Sequence, residues 1–168
     1  MKISDALLPE FDLEMATTRK CLVRIPDDRF SFKPPPKSFE MGALAVHIAT
    51  MLDWGVTTID SDSFDYAPEG SAPYVPPVAK DNAELLAMFD SASAKFRAAL
   101  AVAKDDALMA PWSLLAGGKT IFTMPKVAVL RSMIFNHIVH HRGQLSVYLR
   151  LCDIPVPAIY GPSADEAN

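Results

Sequence analysis

The chain is poor in cysteine. Its 168 residues hold two, Cys21 and Cys152, and neither belongs to a CxxC pair. Each falls at the end of a predicted helix, so both read as free thiols behaving as small apolar residues. The chain also lacks basic clusters. Lysine and arginine total 16 against 20 acidic residues, the formal net charge is -4 and the pI is about 5.5. No basic run exceeds two residues. Phosphate contacts dominate nucleic-acid affinity and need a basic stripe, so direct nucleic-acid binding is excluded, and a polybasic membrane anchor with it. No uninterrupted apolar run reaches the roughly 18 residues of a membrane span. Near the start, Asp5, Glu10, Asp12 and Glu14 break up any apolar signal region, so a cytoplasmic protein is expected.

What is present argues for a packed core. Half of the residues are hydrophobic and mean hydropathy is +0.14, which excludes disorder for the bulk of the chain. The length fits a single domain over residues 1–168, with no internal repeat.

Periodicity predicts four long helices. In the first, Ile3 to Arg24, a stripe runs through Leu7, Leu8, Phe11, Met15, Thr18, Leu22 and Ile25. Pro9 suits an early helical position, so its regular part is expected to begin there. A connection containing Pro34-Pro35-Pro36 follows and reads as a rigid loop. Ser38 is the expected N-cap of the second helix, Phe39 to Thr58, whose stripe is Leu44, His47, Met51, Trp54 and Thr58. Residues 60–80 form a long irregular segment carrying Phe64, Tyr66 and Tyr74. Its Asp-Ser-Asp-Ser-Phe-Asp run lacks the glycine and closing glutamate of a calcium loop. Asp81-x-x-Glu84 opens the third helix, whose stripe is Leu85, Met88, Phe89, Ala92, Phe96, Ala99, Leu100 and Ala103. Residues 105–124 form a second connection, with a small β-hairpin turning at Gly117-Gly118. The last helix, Pro125 to Cys152, has the stripe Leu130, Ile134, His137, His141, Gln144 or Leu145, Tyr148 and Cys152. A proline-rich extended tail over about 155–168 is expected to end loosely. The fold class is therefore all-α, a four-helix bundle with long connections.

Three of the four histidines lie in Asn136-His137-Ile138-Val139-His140-His141-Arg142-Gly143-Gln144. His137 and His141 are four apart, which places both imidazoles on one helix face. His47 lies on the core stripe of another helix. Imidazoles turned into an apolar interior need partners for their ring nitrogens, and a shared cation supplies them. Three nitrogen ligands with open positions make a catalytic rather than a structural arrangement, and imidazole suits zinc, nickel or iron. Pairing of His137 with His140 is the rival assignment; His141 continues the stripe, which leaves His140 near the rim. Gln144 is placed to hydrogen-bond a ligand histidine, with a surface glutamine as the alternative, and Tyr148 is a further positioning candidate. No carboxylate stands out as a general base, so catalytic residues stay unassigned. Cys152 is about three turns, or roughly 16 Å, beyond His141 and cannot share its ion. Gly143 costs about 1 kcal/mol inside a helix, which close approach of another helix would justify.

His137-x-x-His140-His141-Arg142-Gly143-Gln144, preceded by His47 within Leu44-Ala45-Val46-His47-Ile48-Ala49 and followed by Ile154-Pro155-Val156-Pro157, resembles the DinB family, also called DinB/YfiT-like metalloenzymes. The resemblance spans essentially the whole chain. It implies an up-down-down-up four-helix bundle, a homodimer, and one divalent metal held by His47, His137 and His141. It also implies activities such as thiol-dependent S-transfer, with bacillithiol or mycothiol as cosubstrate. The metal would act as a Lewis acid on a thiol or a water. Residues 60–80 and 112–123 would shape the substrate entrance. A non-catalytic metal- or ligand-binding stress-response protein is the alternative.

Overall fold

A computed structural model describes residues 2–72 and 74–167 of the chain. Its elements are α1 (Ile3–Leu22), α2 (Met41–Asp60), β1 (Ser63–Asp65), α3 (Asn82–Val102), α4 (Asp105–Met109), β2 (Pro111–Ala116), β3 (Lys119–Pro125), α5 (Lys126–Val129), a π-helical segment (Leu130–Phe135) and α6 (Asn136–Leu151). The long helices form a four-helix bundle in which α1 and α2 each pack against both α3 and α6.

Cross-helix contacts fix the directions. The Asn82 side chain donates to the Leu22 carbonyl at 2.8 Å, and the Ile3 N–H donates to Asp105 beyond the far end of α3, so α1 and α3 are antiparallel. Lys126 Nζ reaches the Ile59 carbonyl while Tyr148 Oη reaches the Phe39 carbonyl, so α2 runs against α6. Glu10 pairs with Arg131 and Glu14 with Arg142, so α1 and α6 are parallel. The bundle is up-down-down-up. Helices α2 and α3 must then run parallel, which the 60–80 crossover permits.

The expected stripes supply the core. Phe11, Met15, Thr18 and Leu22 of α1, and Leu85, Phe89, Phe96 and Leu100 of α3, are buried. Along α2, Leu44, Met51 and Thr58 are buried, whereas Trp54 is exposed. Helix α2 is long and apolar enough to pass for a membrane span by length and composition. Here that surface is taken up by packing: eleven of its residues are buried.

Several boundaries differ from expectation, each for a local reason. Pro9 lies inside α1, which already begins at Ile3; the Lys2 N–H meets the Asp5 carboxylate at this end. Ser38 is not the cap of α2. Glu40 holds that position without a side-chain cap, because the preceding loop folds back and its Phe32 and Phe30 carbonyls accept from the Met41 and Gly42 N–H groups, both at 2.8 Å. Asp81 does cap α3, accepting from Glu84 N at 2.8 Å. The connection after α3 opens with the short helix α4 rather than irregular chain.

The hairpin grows into a three-stranded sheet in the order β1-β2-β3. β2 and β3 are antiparallel around Gly117 (φ 57°) and Gly118 (φ 74°), two left-handed residues in the pattern of a type I′ turn. β1, from the segment read as irregular, adds in parallel to β2. Asp65 ties it there, accepting from Ala67 N, Gly117 N and Gly118 N at 3.0, 3.1 and 2.7 Å.

The last helix is not uniform. The Asn136 N–H donates to the Arg131 carbonyl, an i to i−5 step, within the π-helical segment just before His137. Helix α6 ends in a Schellman motif, with Ile154 N donating to the Leu149 carbonyl and Asp153 at φ 55° in the left-handed position. The tail is tied down as far as Glu166. Asp165 pairs with Arg150, Glu166 pairs with Arg24, and the Tyr160 hydroxyl lies 3.0 Å from the Glu14 carboxylate.

Candidate metal centre

Antiparallel packing of α2 and α6 brings His47 opposite His137 and His141. One ring nitrogen from each lies within 4.8 Å of the others. The ring centroids of His47 and His141 are 4.7 Å apart, those of His137 and His141 4.6 Å, and those of His47 and His137 5.4 Å. Among the described residues this is the one group of three or more potential metal ligands.

The hydrogen bonds decide which nitrogens are available. His137 Nδ1 is 3.3 Å from the Met133 carbonyl in the π-helical segment. A carbonyl only accepts, so Nδ1 carries the proton and Nε2 keeps its lone pair. His141 Nδ1 is 2.7 Å from Gln144 Oε1, which sets the same tautomer. Partners of this kind fix ligand histidines in metal sites.

The electrostatics suit neutral imidazoles. Burial holds His47 well below the ordinary histidine range, at about 4, and the neighbouring His141 and His137 add to the effect. Burial also lowers His137 and His141, against the opposing hydrogen bonds they donate to the Met133 carbonyl and to Gln144 Oε1. A cluster that resists protonation near neutral pH keeps its lone pairs for a cation.

The other expected residues take distinct places. His140 is exposed, with its ring 5.0 Å from that of His141 and outside the three-nitrogen group, so the geometry favours the His137–His141 pair. Tyr148 is buried and its hydroxyl is committed to the Phe39 carbonyl at 3.2 Å. It thereby holds Phe39, whose ring stacks on His47 at 5.9 Å and 23°. Gly143 makes no close approach within the chain, since a Cβ there would meet nothing within 4 Å.

The cluster lies where two cavities adjoin. The larger, about 690 Å³, includes His47, Phe39, Thr50 and Val78. The smaller, about 210 Å³, includes His137, Trp112, Leu114 and Phe122. Trp54, Phe64 and Tyr66 belong to both linings. The 60–80 segment and the hairpin thus form walls around the site. Phe39 and Trp54 were not expected there; both flank His47 in the second helix or just before it, the signal that locates them.

Arg142 was also not anticipated. It is 1 % exposed, on the side of α6 that meets α1, 2.7 Å from Glu14 Oε2, 3.2 Å from Thr18 Oγ1 and 2.5 Å from the Tyr160 hydroxyl. Ile138, Arg142, Leu145 and Leu149 recur at helical spacing, and that second stripe is its signature.

Compared with known families, residues 3–168 match the DinB family. The chain belongs to the DinB family. It is 28% identical over 162 residues to the uncharacterized protein YrdA of Bacillus subtilis (strain 168), covering 96% of this chain and 90% of that protein. Two solved structures share its fold. A DinB-like protein from Bacillus cereus ATCC 10987 superimposes with a TM-score of 0.69 at 24% identity, covering 95% of this chain and 98% of that one. The DinB-like protein YjoA from Bacillus subtilis also gives 0.69, at 19% identity, covering 90% and 96%. The family and the three-histidine cluster agree on a site able to hold a metal.

Proposed function

We propose that this DinB-family protein is a divalent-metal-dependent enzyme, a thiol-dependent S-transferase or a hydrolase. The observation that carries the reading is three imidazole groups converging at the junction of two cavities, two of them with tautomers that leave Nε2 bare. His47, His137 and His141 would hold one zinc, nickel or iron ion. When bound, such an ion supplies Lewis acidity, lowering the pKa of a thiol or a water. Gln144 and the Met133 carbonyl hold two of the ligand rings. Phe39, Trp54 and Phe64 keep the site apolar, which strengthens electrostatics inside it. The reading includes a low-molecular-weight thiol cosubstrate and a homodimer, both resting on the family resemblance, and a cytoplasmic location, an expectation drawn from composition and charge pattern.

One observation favours the non-catalytic alternative, a metal- or ligand-binding stress-response protein. Among the described residues of the two linings, Glu40 of the larger cavity is the one carboxylate, and it is exposed. No carboxylate among them is buried and set up as a general base.

Elemental analysis of tag-free protein, beside His47→Ala and His137→Ala, tests the site. About one transition-metal ion per chain, lost in both variants, is expected. Metal-dependent turnover of thiols with electrophiles, or of esters, then separates enzyme from binder. A metal-free wild type with unaltered stability in both variants would overturn the metal site and leave a helical bundle without an assigned function.

A further inference from the structure

The larger cavity is built differently on its two sides. One side is a face of α2: Ala43, Val46, His47, Thr50 and Trp54 recur at helical spacing and all line it. Along that face the neighbours of His47, Ala43 and Thr50, are small, which leaves room beside the imidazole. The remaining walls are aromatic. Phe30 and Phe39 come from the chain before α2, Phe64 and Tyr66 from β1 and its exit, and Tyr74 from the crossover. The volume of about 690 Å³ lies within the range of pockets for ligands of drug size.

The opening carries a second signal. Phe39, Trp54, Tyr66, Tyr74 and Val78 are exposed, the last to 81 %, and all five border this one cavity. Single exposed apolar residues are ordinary, whereas a group of them around one opening marks a binding surface. Polar groups are few. Apart from the tyrosine hydroxyls, Ser31 and Glu40 are exposed, and Thr50 Oγ1 donates to the Val46 carbonyl of its own helix at 3.0 Å. His47 is the polar group left for a ligand's head.

We propose that the larger cavity binds an apolar aromatic molecule of about two fused rings, with a donor atom such as sulfur or oxygen at the His47 end. Rings are favoured over a saturated chain because six of the lining residues are phenylalanine, tyrosine or tryptophan, and each good ring–ring contact adds about 2- to 10-fold in affinity beyond the area it buries. An ion held by the histidines would welcome an anionic donor such as a thiolate; only the body of the ligand has to be apolar. As the substrate class of the metal site, this assignment rests on the metal-enzyme reading above. Binding of the ring body does not need the ion.

N-Phenyl-1-naphthylamine, an uncharged probe that fluoresces in apolar surroundings, tests the proposal on the full chain with chelator present. Saturable binding at a single site is expected. 2-Naphthaleneethanol should displace the probe at a concentration about 3- to 10-fold lower than 1-octanol, an alcohol of similar hydrophobicity with a saturated chain. Ala43→Trp should fill the space beside His47 and abolish binding. Tyr66→Ala combined with Tyr74→Ala removes two exposed rings from the opening and should weaken the probe by about 3- to 10-fold. The proposal is overturned by a lack of saturable binding, by octanol competing as well as naphthaleneethanol, or by full affinity in both variants. Should Ala43→Trp fail to fold, the tyrosine pair decides. Loading with zinc should tighten 2-naphthalenethiol by at least about 10-fold, since zinc takes thiolate ligands, and leave 2-ethylnaphthalene unchanged. An unchanged thiol on zinc-loaded protein would overturn the placing of the donor at His47. Ring binding without metal in the elemental analysis would sink the enzyme reading and keep this pocket; metal without ring binding would do the reverse.

Discussion

Gln144 Oε1 lies 2.7 Å from His141 Nδ1, one turn along α6. Because the amide oxygen accepts, the imidazole proton is pinned on Nδ1 and the lone pair stays on Nε2. The same contact stops the ring from rotating away. Gln144 itself is exposed, so its contribution is to the site rather than to the fold.

Gln144→Leu should therefore reduce metal affinity while leaving the melting temperature of the metal-free protein nearly unchanged. Partners of ligand histidines are worth about 10- to 100-fold in affinity, and that is the expected loss in a chelator competition. Gln144→Glu keeps the acceptor and adds charge, so it should bind at least as tightly as wild type. Equal affinity in Gln144→Leu would remove the residue from the site.

Acidification should destabilise the metal-free protein through His47. In the unfolded chain this residue titrates near 6.5, whereas burial in the folded protein brings it to about 4. Between those values the unfolded state binds the extra proton and the folded state does not. Stability is thus fully present above about 6.5 and falls as the pH drops toward 4, by about 2–3 kcal/mol for this one group. His47→Gln should lose less stability over that window than wild type, measured by urea unfolding at pH 7, 6, 5 and 4 with chelator present. Parallel curves for the two proteins would show that His47 is not the group responsible.

How much of this was legible beforehand follows from what each feature depends on. The helices and their buried stripes depend on residues three and four apart, so Phe11, Met15 and Leu22, or Leu85, Phe89 and Phe96, showed their faces directly. His47, His137 and His141 could be chosen because they sit on such stripes. Features set by partners distant in sequence were not legible. The cap of α2 is supplied by the Phe30 and Phe32 carbonyls, not by Ser38. The third strand exists because Asp65 reaches the Gly117-Gly118 turn. The π-helical segment at residues 130–135 is announced by no spacing rule. The buried place of Arg142 depends on Glu14, 128 residues away in sequence, which lies opposite it.

Gly55→Ala should destabilise the bundle. A Cβ at Gly55 would lie 2.6 Å from two atoms of the Phe96 ring, and that ring is itself fully buried against Phe11 and Phe135. With no free space for Phe96 to move into, overpacking should cost about 1–3 kcal/mol, read as a lower urea midpoint. Gly143→Ala is the control. Its added methyl meets nothing, and alanine is the better helix former by about 1 kcal/mol, so the monomer's stability should rise. A fall on Gly143→Ala, together with a shift in sedimentation, would place that glycine at a contact between chains.

Arg142→Met should be among the most damaging substitutions outside the histidine cluster. It would leave the Glu14 carboxylate buried between α1 and α6, facing only the Tyr160 hydroxyl at 3.0 Å. Stranding one member of a buried ion pair costs about 3–5 kcal/mol, whereas replacing both members by apolar groups is often neutral. The double variant Glu14→Leu, Arg142→Met should therefore recover most of the loss, and a double-mutant cycle by urea unfolding measures the difference. Arg142 is next to His141, so the single variant should also release metal more readily than the double one. If the single and double variants lose equal stability, Arg142 matters through its packing alone, and the charge pairing with Glu14 contributes nothing to how α6 is held.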